Sequence, residues 1–278
     1  MGTTKEEDLI EGEIIDAAAS TKALLIKRKG YFIRIILIVI GIDVALAVLG
    51  APFSILYFLP WVWPLLAYSS MSSKILIEFL KEFAKTNGYT FADTGPYGVG
   101  RIFNIGHSRR ASNIIAGERN GLPFAFYSYS YTVGRGKNAS RYSFTVFSIE
   151  MKTPLPPLFL QSNRYPSGGY PMFSDLIKLK MEGDFNKHFT VLVRKDFEIE
   201  VLQLFTPDMM AYWIDKASRY SLEWNGENMY LCVPISMTSK KDITKLFEVS
   251  DHLVKKFLPI LSGMKGGLIA RHAVENKS

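Results

Sequence analysis

Hydrophobic residues are unevenly spread along this chain. Between Tyr31 and Ser69 only Arg34 and Asp43 carry charge, a run well past the ~18 apolar residues that mark a candidate membrane span. Gly50-Ala51-Pro52 divides it into Tyr31–Leu49 and Pro52–Ser69, each close to the roughly 17–25 residues a helix needs to cross a bilayer. The pattern predicts a transmembrane helical hairpin over residues 31–69. Tyr57, Trp61, Trp63 and Tyr68 crowd its second half, as rings do at headgroup level. Asp43 is then an intramembrane polar residue, costing about 2.5–3.5 kcal/mol unless it protonates or finds a partner. A competing reading makes 31–43 an interfacial segment and 44–68 a single span, with Asp43 at the water boundary.

Past the apolar run the period changes. Ile75, Leu76, Phe79, Leu80 and Phe83 recur at helical spacing between Ser72 and Asn87, and Asn87-Gly88 supplies a stop. Strand signals follow from Ile114 to Leu160. Pro123–Val133 and Arg141–Met151 alternate aromatic with small or polar residues around Gly134-Arg135-Gly136-Lys137-Asn138, which predicts a hairpin or meander. Pro154, Pro156, Pro157 and then Pro166–Pro171 read as a junction between subdomains.

Beyond the junction, Phe189–Arg194 and Glu198–Phe205 read as strands. Pro207–Ser218 reads as a helix with Thr206 as N-cap and Pro207 at its first position. Tyr220–Trp224 and Met229–Pro234 flank an Asn225-Gly226 turn, and a last helix spans about Lys241 to Leu261. The expected fold is therefore membrane-anchored α+β: an N-terminal transmembrane helical hairpin, a β-rich subdomain, and a β-β-α-β-β-α subdomain. The boundaries are 1–30 for an acidic tail and basic juxtamembrane segment, 31–69 for the hairpin, 72–162 for the linking helix and β-rich subdomain, 175–262 for the C-terminal α+β subdomain, and 263–278 for a loose tail.

The runs Glu182–Phe189, Val201–Met210, Leu222-Glu223-Trp224 and Met229-Tyr230-Leu231 resemble bacterial membrane-anchored proteins that carry a domain of unknown function behind a transmembrane hairpin. The resemblance covers about the last hundred residues and the hairpin layout. It implies no activity, substrate or catalytic residue.

Composition narrows the classes. With 48% hydrophobic and 21% charged residues among 278, the chain is neither disordered nor collagen-like, and a single cysteine excludes an intramolecular disulfide framework. Residues 1–16 set Lys5 against Glu6, Glu7, Asp8, Glu11, Glu13 and Asp16, whereas Lys22, Lys27, Arg28, Lys29 and Arg34, within residues 17–34, form a basic collar at the start of the apolar run. An acidic start and an apolar run about thirty residues in argue against a cleaved signal peptide. Lys74, Lys81 and Lys85 make the exit flank basic as well, so the hairpin predicts two spans in the cell membrane with the soluble domain cytoplasmic. A single span would instead send that domain outward.

Motifs for chemistry are sparse. His107, His188, His252 and His272 are far apart, and with Cys232 alone they give no zinc-ligand spacing; no catalytic residue, metal or cofactor is assigned. Gly95–Gly100 and Gly134–Lys137 are glycine-rich without the order of a phosphate loop and read as turns. Asp184, Lys187 and His188 are a weak acid–base candidate. Arg109-Arg110-Ala111-Ser112 matches a basophilic kinase pattern, and Asn138-Ala139-Ser140 is a glycosylation sequon.

The strongest feature is charge. Between Thr94 and Ile149 the basic residues Arg101, Arg109, Arg110, Arg119, Arg135, Lys137 and Arg141 face Glu118 alone. They predict a basic face for anionic headgroups or an acidic protein partner, with nucleic acid disfavoured because the domain is placed beside an anionic leaflet. The function read from the sequence is a non-enzymatic binding or scaffold module at the cytoplasmic membrane face, embedded in membrane lipid and able to form a homo-oligomer through the hairpin. The alternatives are an enzyme with its site near Gly95–His107 or Asp184–His188, and a subunit of a transport complex centred on Asp43.

Overall fold

The structure is a computed structural model and describes residues 29–50, 61–165, 173, 175–235, 237 and 240–275. The chain divides into two units, Met1–Asn87 with Thr238–Lys241, and Gly88–Met237 with Asp242–Ser278.

In the first unit, helix α1 spans Lys29–Val48 and helix α2 spans Val62–Thr86. Val39 is 3% exposed, whereas Leu37, Ile38, Val44 and Val48 are more than half exposed. In α2, Phe79, Leu80, Phe83 and Ala84 are buried, the stripe expected from their three- and four-residue spacing. Among the described residues no helix is long and apolar enough to cross a membrane. Lys29, Arg34 and Asp43 interrupt α1, residues 51–60 of the expected hairpin lie outside the described residues, and α2 becomes amphipathic through Lys74, Glu78, Lys81, Glu82 and Lys85. The transmembrane hairpin over 31–69 is corrected accordingly. The two-span cell-membrane location falls with it, and with that the ground for the cytoplasmic side; the single span of 44–68 runs through residues 51–60, outside the described residues.

The second unit corrects the expected division into two subdomains. Its described strands form one nine-stranded sheet in the order β1-β2-β3-β4-β9-β8-β5-β7-β6, and every neighbouring pair is antiparallel. They are β1 Thr90–Gly95, β2 His107–Arg119, β3 Leu122–Val133, β4 Ser140–Glu150, β5 Leu158–Ser162, β6 Ile177–Leu179, β7 Phe189–Val193, β8 Ser221–Asn225 and β9 Asn228–Val233. β4 pairs with β9, and β5 pairs with both β8 and β7. The proline-rich stretch therefore connects parts of a single sheet.

Strand alternation sorts the side chains onto two faces. On one face Phe124, Phe147, Trp224 and Phe189 meet helices α5 (Pro207–Lys216) and α6 (Lys240–Glu275). Phe247 of α6 lies edge-on to Phe124 and Phe147 at 5.5 and 4.9 Å, Phe257 edge-on to Trp224 at 5.0 Å, and Trp213 of α5 edge-on to Phe189 at 5.6 Å. On the other face Tyr127, Tyr129, Phe144, Val146, Phe159, Tyr230 and Cys232 form a second core with Ile102 and Phe103.

Local signals are obeyed where packing agrees with them. Thr206 caps α5 by accepting from the Met209 amide, with Pro207 at its start. Packing overrides them elsewhere. Beyond the short turn α3 (Phe185–His188), Glu198–Leu204 is a helix, α4, rather than a strand. Val201 and Leu204, three apart, are fully buried while Ile199 and Leu202 are exposed, which a helix satisfies and a strand does not. The tail expected to be loose from Gly263 continues α6 to Glu275 through Pro259, with Leu261 and Leu268 buried. Phe247→Ala should cost about 3–5 kcal/mol, since it empties the contact of three rings; urea denaturation at equilibrium measures this.

Candidate binding site

The seven basic residues divide into two groups. Three are engaged within the fold. Arg119 grips Asp251 on α6 through Nε at 2.8 Å and Nη2 at 2.6 Å, Asn120 adds a 3.0 Å bond to the same carboxylate, and the guanidinium lies over Phe247 at 5.5 Å. Its pKa is raised, chiefly by the hydrogen bonds to Asp251. Arg101 pairs with Asp175 at 2.5 Å, which holds that carboxyl below its usual range. Arg109 donates to the carbonyls of Asn104 at 2.9 Å, Ile105 at 3.1 Å and Gly106 at 3.0 Å, closing the turn ahead of β2.

The other four, Arg110, Arg135, Lys137 and Arg141, are exposed at one end of β2, β3 and β4. A bulge in β2 between His107 and Arg110, with Ser108 at φ 53°, separates the consecutive arginines. Arg109 turns back to the loop, and Arg110 stands opposite Ser130. Arg141 stands opposite Thr132 on the same face, and its Nη2 donates to Ser130 Oγ at 3.0 Å. Arg135 and Lys137 sit in the β3–β4 turn, which His107 braces by a 2.8 Å contact from Nε2 to the Gly134 carbonyl. A hydroxyl row of Ser128, Ser130 and Thr132 lines β3 here, paired with Thr145, Ser143 and Arg141. This end presents four cations on a braced hairpin. The sequence groups seven, and the structure brings four of them together.

The tyrosines do not join this surface. Tyr127, Tyr129 and Tyr131 are 1–2% exposed, on the face opposite the hydroxyl row. Rings that would stack on nucleic-acid bases are in the core.

Other candidates resolve simply. Asp43 Oδ2 accepts from Trp61 Nε1 at 2.9 Å within the first unit. Asp184 and Lys187 form an exposed 2.7 Å pair one turn apart. Ser112 of the kinase pattern lies within β2, which is paired to β1 and β3 on its two sides. Asn138 of the sequon is exposed in the β3–β4 turn. Among the described residues no group of three or more His, Cys, Asp or Glu side chains could hold a metal ion.

Sequence reasoning missed Glu223. Flanked by Leu222 and Trp224, it reads as the outward position of a half-exposed strand, yet β8 lies inside the sheet and Glu223 is 1% exposed. Its carboxylate accepts the backbone N–H of Arg101 through Oε1 and that of Ile102 through Oε2 at 3.2 Å. Burial pushes its pKa up to about 7 against the opposing pull of those amides. The glycines now have a reason: a Cβ on Gly100 would lie 2.8 Å from Glu223 Oε2, and one on Gly98 2.5 Å from the rings of Phe103 and Tyr230. That signal was available as Gly95, Gly98 and Gly100 in a short loop, without the partner that explains it.

No family model and no curated protein matches the chain, so nothing there bears on the family resemblance read from residues 182–231. Among solved structures, the mycobacterial trehalose monomycolate transport factor A, TtfA, is similar over 67% of this chain and 94% of its own, at 14% identity and a TM-score of 0.48. A likeness at that level carries no argument about what this chain binds.

If Arg109 is structural and Arg110 is not, truncation separates them. Arg109→Ala should lose about 1–3 kcal/mol by leaving carbonyls without their charged donor, and Arg110→Ala should stay within about 0.5 kcal/mol of the wild type. Parallel urea titrations give both values.

Proposed function

We propose that the chain is a non-enzymatic binding module whose second unit takes an acidic protein segment on the basic end of β2, β3 and β4. The observation that carries this reading is the gathering of Arg110, Arg135, Lys137 and Arg141 at one exposed end while the tyrosines between them are turned into the core. Recognition there is by charge and hydrogen bonding. The planar forks of Arg110 and Arg141 suit carboxylates, and the hairpin that carries them is held by β2 and β4 on both sides of β3.

Three of the cationic groups that a sequence count would add are excluded from the surface by their own partners, so the field is local. Binding should weaken steeply with salt, because exposed charges are screened beyond about 8–10 Å at physiological ionic strength. A fluorescent polyglutamate peptide titrated into the full chain should bind several-fold more weakly to the double variant Arg135→Ser/Lys137→Ser, whose residues make no ion pair among the described residues. Anisotropy at 50 and 300 mM salt reads this. Binding that ignores both salt and the double substitution contradicts the proposal, and preference for anionic vesicles over the peptide would reassign the partner to a headgroup surface.

A further inference from the structure

Residues Pro96–Asn104 cross the tyrosine-bearing face of the sheet as a strap. Glu223 takes two of its amides, those of Arg101 and Ile102. Tyr230 Oη accepts the Val99 amide at 3.2 Å, and Asn225 Nδ2 donates to the Val99 carbonyl at 2.7 Å. All three anchors come from β8 and β9. Phe103 is driven into the core beneath, edge-on to Tyr129 at 4.8 Å and Tyr230 at 5.0 Å, while Val99 stays 67% exposed. The strap has no repeating strand pairing of its own; besides the buried side chains of Ile102 and Phe103, two of its amides rest on one buried carboxylate, which Gly100 allows the backbone to approach.

We propose that this strap is a proton-controlled cover, held shut over the tyrosine face while Glu223 is protonated and loosened when Glu223 ionises. Solvation sets the direction of the switch. In the shut state Glu223 sits between Phe159 and Tyr230 in neighbouring strands, out of water. A charge there gains hydration only if the strap lifts. Two strap amides and the charge of Arg101 pull toward the ionised form, and burial outweighs them. Arg101 on the strap spends its guanidinium on Asp175, Tyr230 and Cys232 on β9 are driven toward their neutral forms by burial, and so is Tyr127 on β3. With a shut-state value near 7 and an open-state value near the ordinary 4.5, the stabilisation of the shut form is complete below about 4.5 and is lost as pH rises to about 7.

Hydrogen exchange of the full chain, followed by mass spectrometry and corrected for the intrinsic pH dependence of exchange, tests this. Segment 96–104 should exchange faster than segments of β3 and β4, and its opening equilibrium should climb roughly tenfold per pH unit between 5 and 7 and level off above. Glu223→Gln, which cannot ionise, should abolish the climb. Gly100→Ala, whose methyl would meet Glu223 Oε2, should raise opening at every pH. A flat wild-type profile, a slope that survives Glu223→Gln, or a strap that exchanges no faster than β3 and β4 would overturn the proposal. The test does not depend on the basic end of β2–β4 binding anything.

Discussion

A carboxylate at the middle of a nine-stranded sheet has to be satisfied by whatever covers it. Strand order puts β8 between β9 and β5, so Glu223 can reach neither solvent nor a sheet edge. Leaving such a group without hydrogen bonds costs several kcal/mol. The strap supplies two amides, and in doing so brings Phe103 and Ile102 onto the tyrosine face and completes its core. The close-approach glycines, the Arg101–Asp175 pair and the burial of Tyr127, Tyr129 and Tyr230 all belong to that one arrangement.

The same sheet explains why charge and aromaticity, adjacent in sequence, separate in space. Along β3 the odd-numbered Tyr127, Tyr129 and Tyr131 go under the strap, while the even-numbered Ser128, Ser130 and Thr132 face the other way beside Arg110 and Arg141. One strand thus serves a dry core on one side and, on the other, the buried Phe124 and Phe126 followed by a hydroxyl row beside exposed arginines. The bulge at Ser108 lets two consecutive arginines take different tasks, one bracing a turn and one facing solvent.

Much of the local structure was legible in the sequence. The alternation in Pro123–Val133 and Arg141–Met151 has period two and becomes the β3–β4 pair; Thr206-Pro207 opens a helix; and Asn225-Gly226 turns β8 into β9. What was not legible depends on partners distant in the chain. The helix Glu198–Leu204 is chosen by burial of Val201 and Leu204, and α6 outruns its Pro259 because Leu261 and Leu268 are packed. The apolar run at 31–69 suggested a membrane hairpin, but no described helix is long and apolar enough for a span. Of the basic face, the sequence marked every member but not the internal carboxylate, Asp175 or Asp251, that claims Arg101 or Arg119. Glu223 was hidden because a lone acid in a short strand looks like a solvent-facing position.

The claim on which the strap face rests is that Glu223 holds the Arg101 and Ile102 amides and exchanges its proton near neutral pH. The direct measurement is the pH titration of those two backbone amide resonances in the full chain, from pH 4 to 9. The account predicts that both shift together with a midpoint near 7; resonances that do not move, or that follow an ordinary exposed carboxyl near 4.5, would contradict it.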